Sequence, residues 1–188
     1  MSLTPDHRVN SFIQRILQLE KGYVDNPDDS GGETNWGITE AVARENGFIA
    51  PMWSMTQTQA RDIYAQVYWY KPKLELLLEV SSDVAWEVFD AGVNCGTGTA
   101  IKFLQQTLNV FNLKGKLYED LKVDGVLGGQ TALALKFYFT HRKSFAEPVL
   151  LKALNCLQGS YYIRLAEARE KDETFVFGWI NKRVELPN

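Results

Sequence analysis

At 188 residues, with 45% hydrophobic and 12% aromatic side chains, the chain can bury a sizeable core. Its formal net charge of −3 gives no general attraction to nucleic acid or to an anionic membrane. No run is long enough to span a membrane, and no basic-then-apolar segment opens the chain, so neither membrane insertion nor a signal peptide is expected.

The first predicted element is a helix opening at Thr4-Pro5, a capping hydroxyl followed by proline in the first turn. Val9, Phe12, Ile13, Ile16 and Leu17 recur at the spacing of one buried helix face. The next position on that face is Glu20, and Gly22 is expected to end the helix just beyond it. A carboxylate at a core-facing position has three outcomes. It swivels into water, it pairs with an arginine such as Arg8 or Arg15, or it keeps its proton to a higher pH. The last is what the general acid of a glycosidase needs.

Tyr23 to Gly32 is dense in turn formers, and Glu33 to Thr39 reads as a short strand. A small hairpin or irregular loop beside Glu20 is therefore expected. Asp28 and Asp29 are either turn residues capping their own backbone or a second carboxylate to accompany Glu20. The spacing does not fit a calcium-binding EF-hand loop.

Thr39 caps a short predicted helix that Gly47 ends. Thr56 and Gln59 form a capping box for a helix with Ala60, Ile63, Tyr64, Val67 and Tyr68 on one side, closed by Trp69 and Tyr70. These aromatics are read as core or groove wall, with sugar stacking as the functional alternative. Leu74 to Asn94 reads as one or two helices, with Ser82-Asp83 capping an apolar and centrally buried segment. Asp90 and Asn94 share a face there, in either a structural hydrogen-bond network or the floor of a cleft. Gly96 to Thr99 is a helix-to-helix corner. An amphipathic helix over 100–108, a tight turn at Val123 to Gly128, a helix over 132–139 and a long helix after Pro148 follow. That last helix is striped by Val149, Leu150, Ala153, Leu154, Leu157, Tyr161 and Leu165. Cys95 and Cys156 lie in apolar patterns and are expected to be buried free thiols. His7 and His141 have no ligand spacing, so neither a metal nor a cofactor is expected.

The run LEKGYVDNPDDSGGETNWGIT resembles the signature of glycoside hydrolase family 108, the N-acetylmuramidases of phage endolysins and prophages. Members often read Glu-Gly-Gly-Tyr where this chain has Glu20-Lys21-Gly22-Tyr23, and Asp-Pro-Gly-Gly where it has Asp29-Ser30-Gly31-Gly32. The resemblance implies a mainly α, lysozyme-like helical fold with a small β-hairpin or irregular loop after the first helix. It implies Glu20 as the catalytic glutamate. Similarity to phage lysozymes implies Asp29 as its partner, with Asp28 the rival, and Thr34 as a further catalytic residue. Tyr23, Trp36 and Gly37 in the same run are expected to bind substrate. The family's Asp-Ala-x-x-Asn-x-Gly pattern matches Asp90, Ala91, Asn94 and Gly96, which adds Asp90 and Asn94 to the substrate-binding set.

Phe103-Leu104-Gln105 with Asp124 to Thr131 resembles small helical peptidoglycan-binding modules, with Gly129 where proline is usual. Direct wall contact and a purely structural role are both open for it. Phe175 to Arg183 resembles the family's Gly-Trp-x-Asn-Arg ending, with Lys182 as the departure. The expected organisation is a catalytic region over 1–95 and a peptidoglycan-binding-like region over 96–188 packed against it as one compact unit.

The implied function is hydrolysis of the β-1,4 bond between MurNAc and GlcNAc, with Glu20 as general acid. The implied partner is bacterial peptidoglycan, met by a monomer, without nucleic acid. The expected site of action is the periplasm or wall, reached from a bacterial host cytoplasm through a route such as a holin. The rivals are a non-catalytic peptidoglycan-binding or secretion-related protein and a lytic transglycosylase, with a chitinase behind them.

Overall fold

The computed structural model describes residues 6–20, 22–25 and 32–184. Thr4, Pro5, Asp28 and Asp29 lie outside the described residues. The chain divides into two compact units, Met1–Lys71 and Pro72–Asn188.

In the first unit, helix α1 (His7–Leu19) is capped by Asp6, whose carboxylate accepts from the Arg8 backbone N–H at 2.9 Å and pairs with its guanidinium at 2.7 Å. Arg8 is thus engaged with the cap at the opposite end of α1 from Glu20. Val9, Ile13, Ile16 and Leu17 are buried, as their spacing dictates, each contributing roughly 1.5–3 kcal/mol by leaving water. Three two-residue strands follow: β1 (Tyr23–Val24), β2 (Thr34–Asn35) and β3 (Ile38–Thr39). They form an antiparallel sheet in that order, with Tyr23 opposite Asn35 and Thr34 opposite Thr39. The predicted single strand over 33–39 is therefore two strands, split by a tight turn at Trp36-Gly37. Helix α2 (Glu40–Glu45) starts at the Thr39 cap, and Gly47 follows it at φ +83°.

Helix α3 (Gln57–Ile63) opens with the expected capping box at Thr56 and Gln59. It then continues as a π-helical stretch, Tyr64–Tyr70, in which the Lys71 N–H donates to the Gln66 carbonyl. An α-helix would have buried Val67 and Tyr68 beside Tyr64. The i→i+5 pitch instead aligns residues five apart, so Tyr64 and Trp69 share the inward face. Both are fully buried, and Trp69 meets Phe12 of α1 at 5.7 Å between ring centroids.

The second unit holds α4 (Glu75–Leu78), α5 (Ser82–Cys95), α6 (Thr97–Phe111), α7 (Gly129–Arg142), α8 (Ala146–Ala168) and α9 (Glu173–Arg183). The α5 cap is Ser81, one residue before the expected pair. Its hydroxyl accepts from the Val84 N–H at 3.0 Å and donates to the Glu147 carboxylate at 2.6 Å. Helix α5 packs on α6 and α8, and Gly96 at φ +86° turns the corner between α5 and α6. Gln105 and Asn109 of α6 and its C-cap Asn112 are three amides that tie down the segment before α7. Asn109 exchanges two hydrogen bonds with the Leu121 backbone at 2.7 and 2.8 Å. Asn112 donates to Asp120 at 2.6 Å and accepts from the Gly115 N–H at 2.9 Å.

The buried face of α8 is rotated from the predicted stripe. Val149 is exposed, whereas Asn155 and Gln158 are buried. The two amides are satisfied by Glu87 and by the Tyr162 hydroxyl, each at 2.9 Å, which is why polar residues are tolerated there. Both cysteines are free; Cys95 is buried, but Cys156 is exposed, against the sequence expectation. Among the described residues no helix is long and apolar enough to cross a membrane.

Candidate active site

Glu20 is the C-terminal cap of α1. Its backbone, at φ −100° and ψ 45°, has left the helix, yet its N–H still donates to the Ile16 carbonyl at 2.9 Å. The residue is half-buried, at the edge of the face formed by Ile13, Ile16 and Leu17. Its aliphatic carbons press on Gly37. A Cβ built on Gly37 would lie 2.7 Å from the Glu20 Cβ, 2.8 Å from its Cγ and 2.6 Å from the Tyr64 hydroxyl. Only glycine fits between the acid and the phenol, and its φ of +75° is also one that glycine alone adopts freely.

Gly37 is the second residue of the β2–β3 turn, and Trp36 is the first, at φ +53°. Positive φ at both central residues gives the mirror-image turn whose twist matches a two-residue hairpin. A bulky aromatic in that region costs of order 1–3 kcal/mol and persists only when its surroundings hold it. Three contacts hold Trp36. Its backbone N–H donates to the Gly22 carbonyl at 3.3 Å and its indole N–H to the Met55 carbonyl at 2.9 Å. Its own carbonyl accepts from the Tyr64 hydroxyl at 2.9 Å. The π-helical register that buries Tyr64 therefore also sets the height of the hairpin tip against Glu20.

Around this corner the sheet gathers polar groups. Partial burial pushes the Tyr23 phenol up, and the neighbouring charges of Glu33 and Asp25, with a hydrogen bond to Glu33, add to that shift. Tyr23 is thus a neutral donor at ordinary pH, 41% exposed. Thr34 sits half-buried in the central strand, opposite Val24 and Thr39. Glu40 pairs with Arg44 at 2.9 Å. Buried Asn35 donates to the Met52 carbonyl at 2.7 Å, fixing the loop after α2 to the same strand.

Of the residues singled out from sequence, Glu20, Tyr23, Thr34, Trp36 and Gly37 fall on this one α1–hairpin corner. Asp90 and Asn94 lie on α5 in the second unit. The buried Asp90 carboxylate is paired with the equally buried Arg183 guanidinium of α9, and the Asn94 amide donates to the Asp90 carbonyl at 2.9 Å. Trp69, one of the candidate stacking residues, is core. Sequence reasoning did not single out two residues of this unit, Tyr64 at the corner and Trp53 on the loop after α2. Tyr64 read as core, groove wall or a stacking ring, and its place against Gly37 was hidden because a change of helical pitch leaves no mark in composition. Trp53, between Met52 and Ser54 on the loop after α2, drew no comment and is exposed. Among the described residues no group of three His, Cys, Asp or Glu side chains is placed to hold a metal ion.

A mainly α chain with a small antiparallel sheet after its first helix, an acid closing that helix and a strained turn against it define a lysozyme-like fold and corner. Residues 13–96 match the family described as Glycosyl hydrolase 108, and residues 99–184 match the one described as Predicted Peptidoglycan domain. The chain thus carries a region similar to glycosyl hydrolase family 108, followed by one similar to a peptidoglycan domain. It is a glycoside hydrolase directed at peptidoglycan, and its place of action is the cell wall. Among solved structures it is similar to SagA of Brucella abortus, with 24% identity over 94% of this chain and 89% of that one and a TM-score of 0.69, a likeness of fold. No curated protein sequence matches the chain.

Proposed function

We propose that the protein is an N-acetylmuramidase in which Glu20 is the general acid. The Glu20 carboxyl donates its proton to the bridging oxygen of the β-1,4 bond between MurNAc and GlcNAc as the glycosyl centre gains oxocarbenium character. The second carboxylate is Asp29 first and Asp28 next, which activates water or steadies the developing cation, and Thr34 orients that water. Tyr23, a neutral donor beside the corner, hydrogen-bonds substrate hydroxyl or acetamido groups.

The observation that carries this reading is the contact of Glu20 with Gly37. An acid held by a helix end, an over-determined turn and a buried phenol has its carbon stem fixed before substrate arrives. Such preorganisation is what proton transfer in a glycosidase requires. The seating of Glu20 lies within the matched hydrolase region.

Glu20→Gln tests it. The variant is expected to fold with an unchanged circular-dichroism spectrum and to lose lysis of chloroform-treated cells by at least about 100-fold. Lysis at the native rate overturns the assignment. Mass spectrometry of the muropeptides separates hydrolysis, which adds one water per cut, from transglycosylation, which yields anhydro ends. Asp29→Asn and Asp28→Asn, assayed side by side, identify the partner carboxylate.

A further inference from the structure

The loop between α2 and α3 combines two properties. It is tightly fixed, and it holds a tryptophan out in water. Arg44 donates through Nη1 to the Phe48 carbonyl at 2.7 Å and to the Ala50 carbonyl at 2.6 Å. Asn35 anchors the Met52 carbonyl at 2.7 Å, and the Trp36 indole anchors the Met55 carbonyl at 2.9 Å. Between those anchors runs one 3-10 turn, Met52–Ser54, closed by the Met55 N–H donating to the Met52 carbonyl at 3.2 Å. Residues three apart eclipse in such a turn, so Met52 and Met55 both point inward and are buried. Trp53 is thereby forced outward and is 69% exposed. No aromatic ring packs on it among the described residues.

A large indole left in water forfeits the burial that would otherwise stabilise the fold. Fixing its loop removes the freedom that would let it collapse onto the surface. Both anchors of the 3-10 turn, Asn35 and Trp36, belong to the hairpin whose tip abuts Glu20. The loop that carries the indole is therefore tied to the same hairpin that abuts the acid.

We propose that Trp53 is a saccharide-stacking platform. It receives the apolar C–H face of one pyranose ring of the β-1,4-linked amino-sugar strand, at a ring removed from the bond that Glu20 cleaves. A β-linked pyranose offers a flat face of axial hydrogens, and an aromatic face attracts such C–H groups by dispersion and by its quadrupole. This inference rests on the muramidase reading for the identity of the strand. Because the ring that stacks does not react, its contact is equal in the ground and transition states and appears in KM rather than kcat.

The test uses the full chain labelled with fluorinated tryptophan, in the Glu20→Gln background so that substrate persists. Trp53→Phe assigns the Trp53 resonance by its disappearance. Glycan strands freed from sacculi by an amidase are titrated in, with anionic vesicles and concentrated unlabelled protein as separate additions. The expected result is a saturable shift of the Trp53 line with glycan and none with the other two. In the active enzyme, Trp53→Ala is expected to raise KM roughly 5- to 10-fold with kcat within about twofold, and Trp53→Phe to recover most of the loss. A Trp53 line that stays still with glycan, or moves only with vesicles or protein, overturns the proposal, as does an unchanged KM for Trp53→Ala. The two readings fail separately. An active Glu20→Gln variant removes the muramidase assignment, whereas an inactive one with a silent Trp53 line removes only the platform.

Discussion

Two glycine-tight turns, one in each unit, are built alike and end differently. In the second unit, Gly125 at φ +77° lies against the α5–α6 corner so closely that a Cβ would come within 2.6 Å of the Gly98 carbonyl oxygen. The turn is closed on itself. Gln105, buried in α6, donates to Asp124 and to the Val126 carbonyl, each at 3.1 Å, and accepts from the Gly125 N–H at 2.9 Å. The Asp124 carboxylate is held below its ordinary range by the Val126 N–H first and by Gln105 next. In the first unit, Gly37 is pressed just as closely, but against the stem of an acid and the hydroxyl of a phenol. One contact joins backbone to backbone and consumes its carboxylate as a cap. The other positions a carboxylate at the end of a helix. A glycine without room for a Cβ is thus a joint in both units, set against backbone in one and against an acid's stem and a phenol in the other.

The largest expected effect sharpens that contrast. Gly37→Ala must displace Glu20 or Tyr64, and it should cut peptidoglycan hydrolysis by more than about 100-fold while costing roughly 2–3 kcal/mol in thermal unfolding. Gly125→Ala should cost a similar amount of stability yet leave kcat on soluble glycan unchanged below its melting temperature. Equal loss of kcat in both variants breaks the distinction. Next comes Asp90→Asn, which strips the buried Arg183 of its carboxylate and should cost about 3–5 kcal/mol by denaturant titration. A KM shift with unaltered stability would instead support the expectation that Asp90 binds substrate. Tyr64→Phe removes the hydrogen bond to the Trp36 carbonyl. It should cost about 1 kcal/mol and lower kcat roughly tenfold, with Tyr64→Ala far more damaging to stability.

The smallest effect concerns Cys95, whose thiol burial pushes up to about 12. A thiol reagent at neutral pH should label only Cys156 in the native protein and both cysteines once it is unfolded, as counted by mass spectrometry. The sign of the linkage follows. Below the ordinary thiol range of 9.0 both states are neutral and the burial carries no charge penalty. Above it the unfolded chain ionises first, so stability falls as pH rises from about 9 toward 12.

Much of this architecture was legible. The spacing from Val9 to Leu17 gives α1 and puts Glu20 at its end, and the Thr39 and Thr56 caps are local chemistry that needs no tertiary context. The wider resemblance pointed at the corner of Glu20, Thr34, Trp36 and Gly37. What was not legible arises from contacts distant in sequence. The Trp36-Gly37 turn lacks the usual Asn-Gly signal, because three remote hydrogen bonds supply the stabilisation that a favourable turn residue would otherwise give. The π-helical register follows from burying Tyr64 and Trp69 together. Asn155 and Gln158 enter the core of the second unit only because Glu87 and Tyr162 are there to meet them.

The closure of the Trp36 turn has a consequence for proteolysis. Its partners, Gly22, Met55 and Tyr64, are spread over more than forty residues of the chain. An amino-terminal fragment ending before the α2–α3 loop would keep the first helix and its terminal acid but lose the Met55 and Tyr64 contacts that clasp the tip. Cleavage within that loop should therefore silence the enzyme without touching any group that handles the proton, and adding back the missing peptide should revive it.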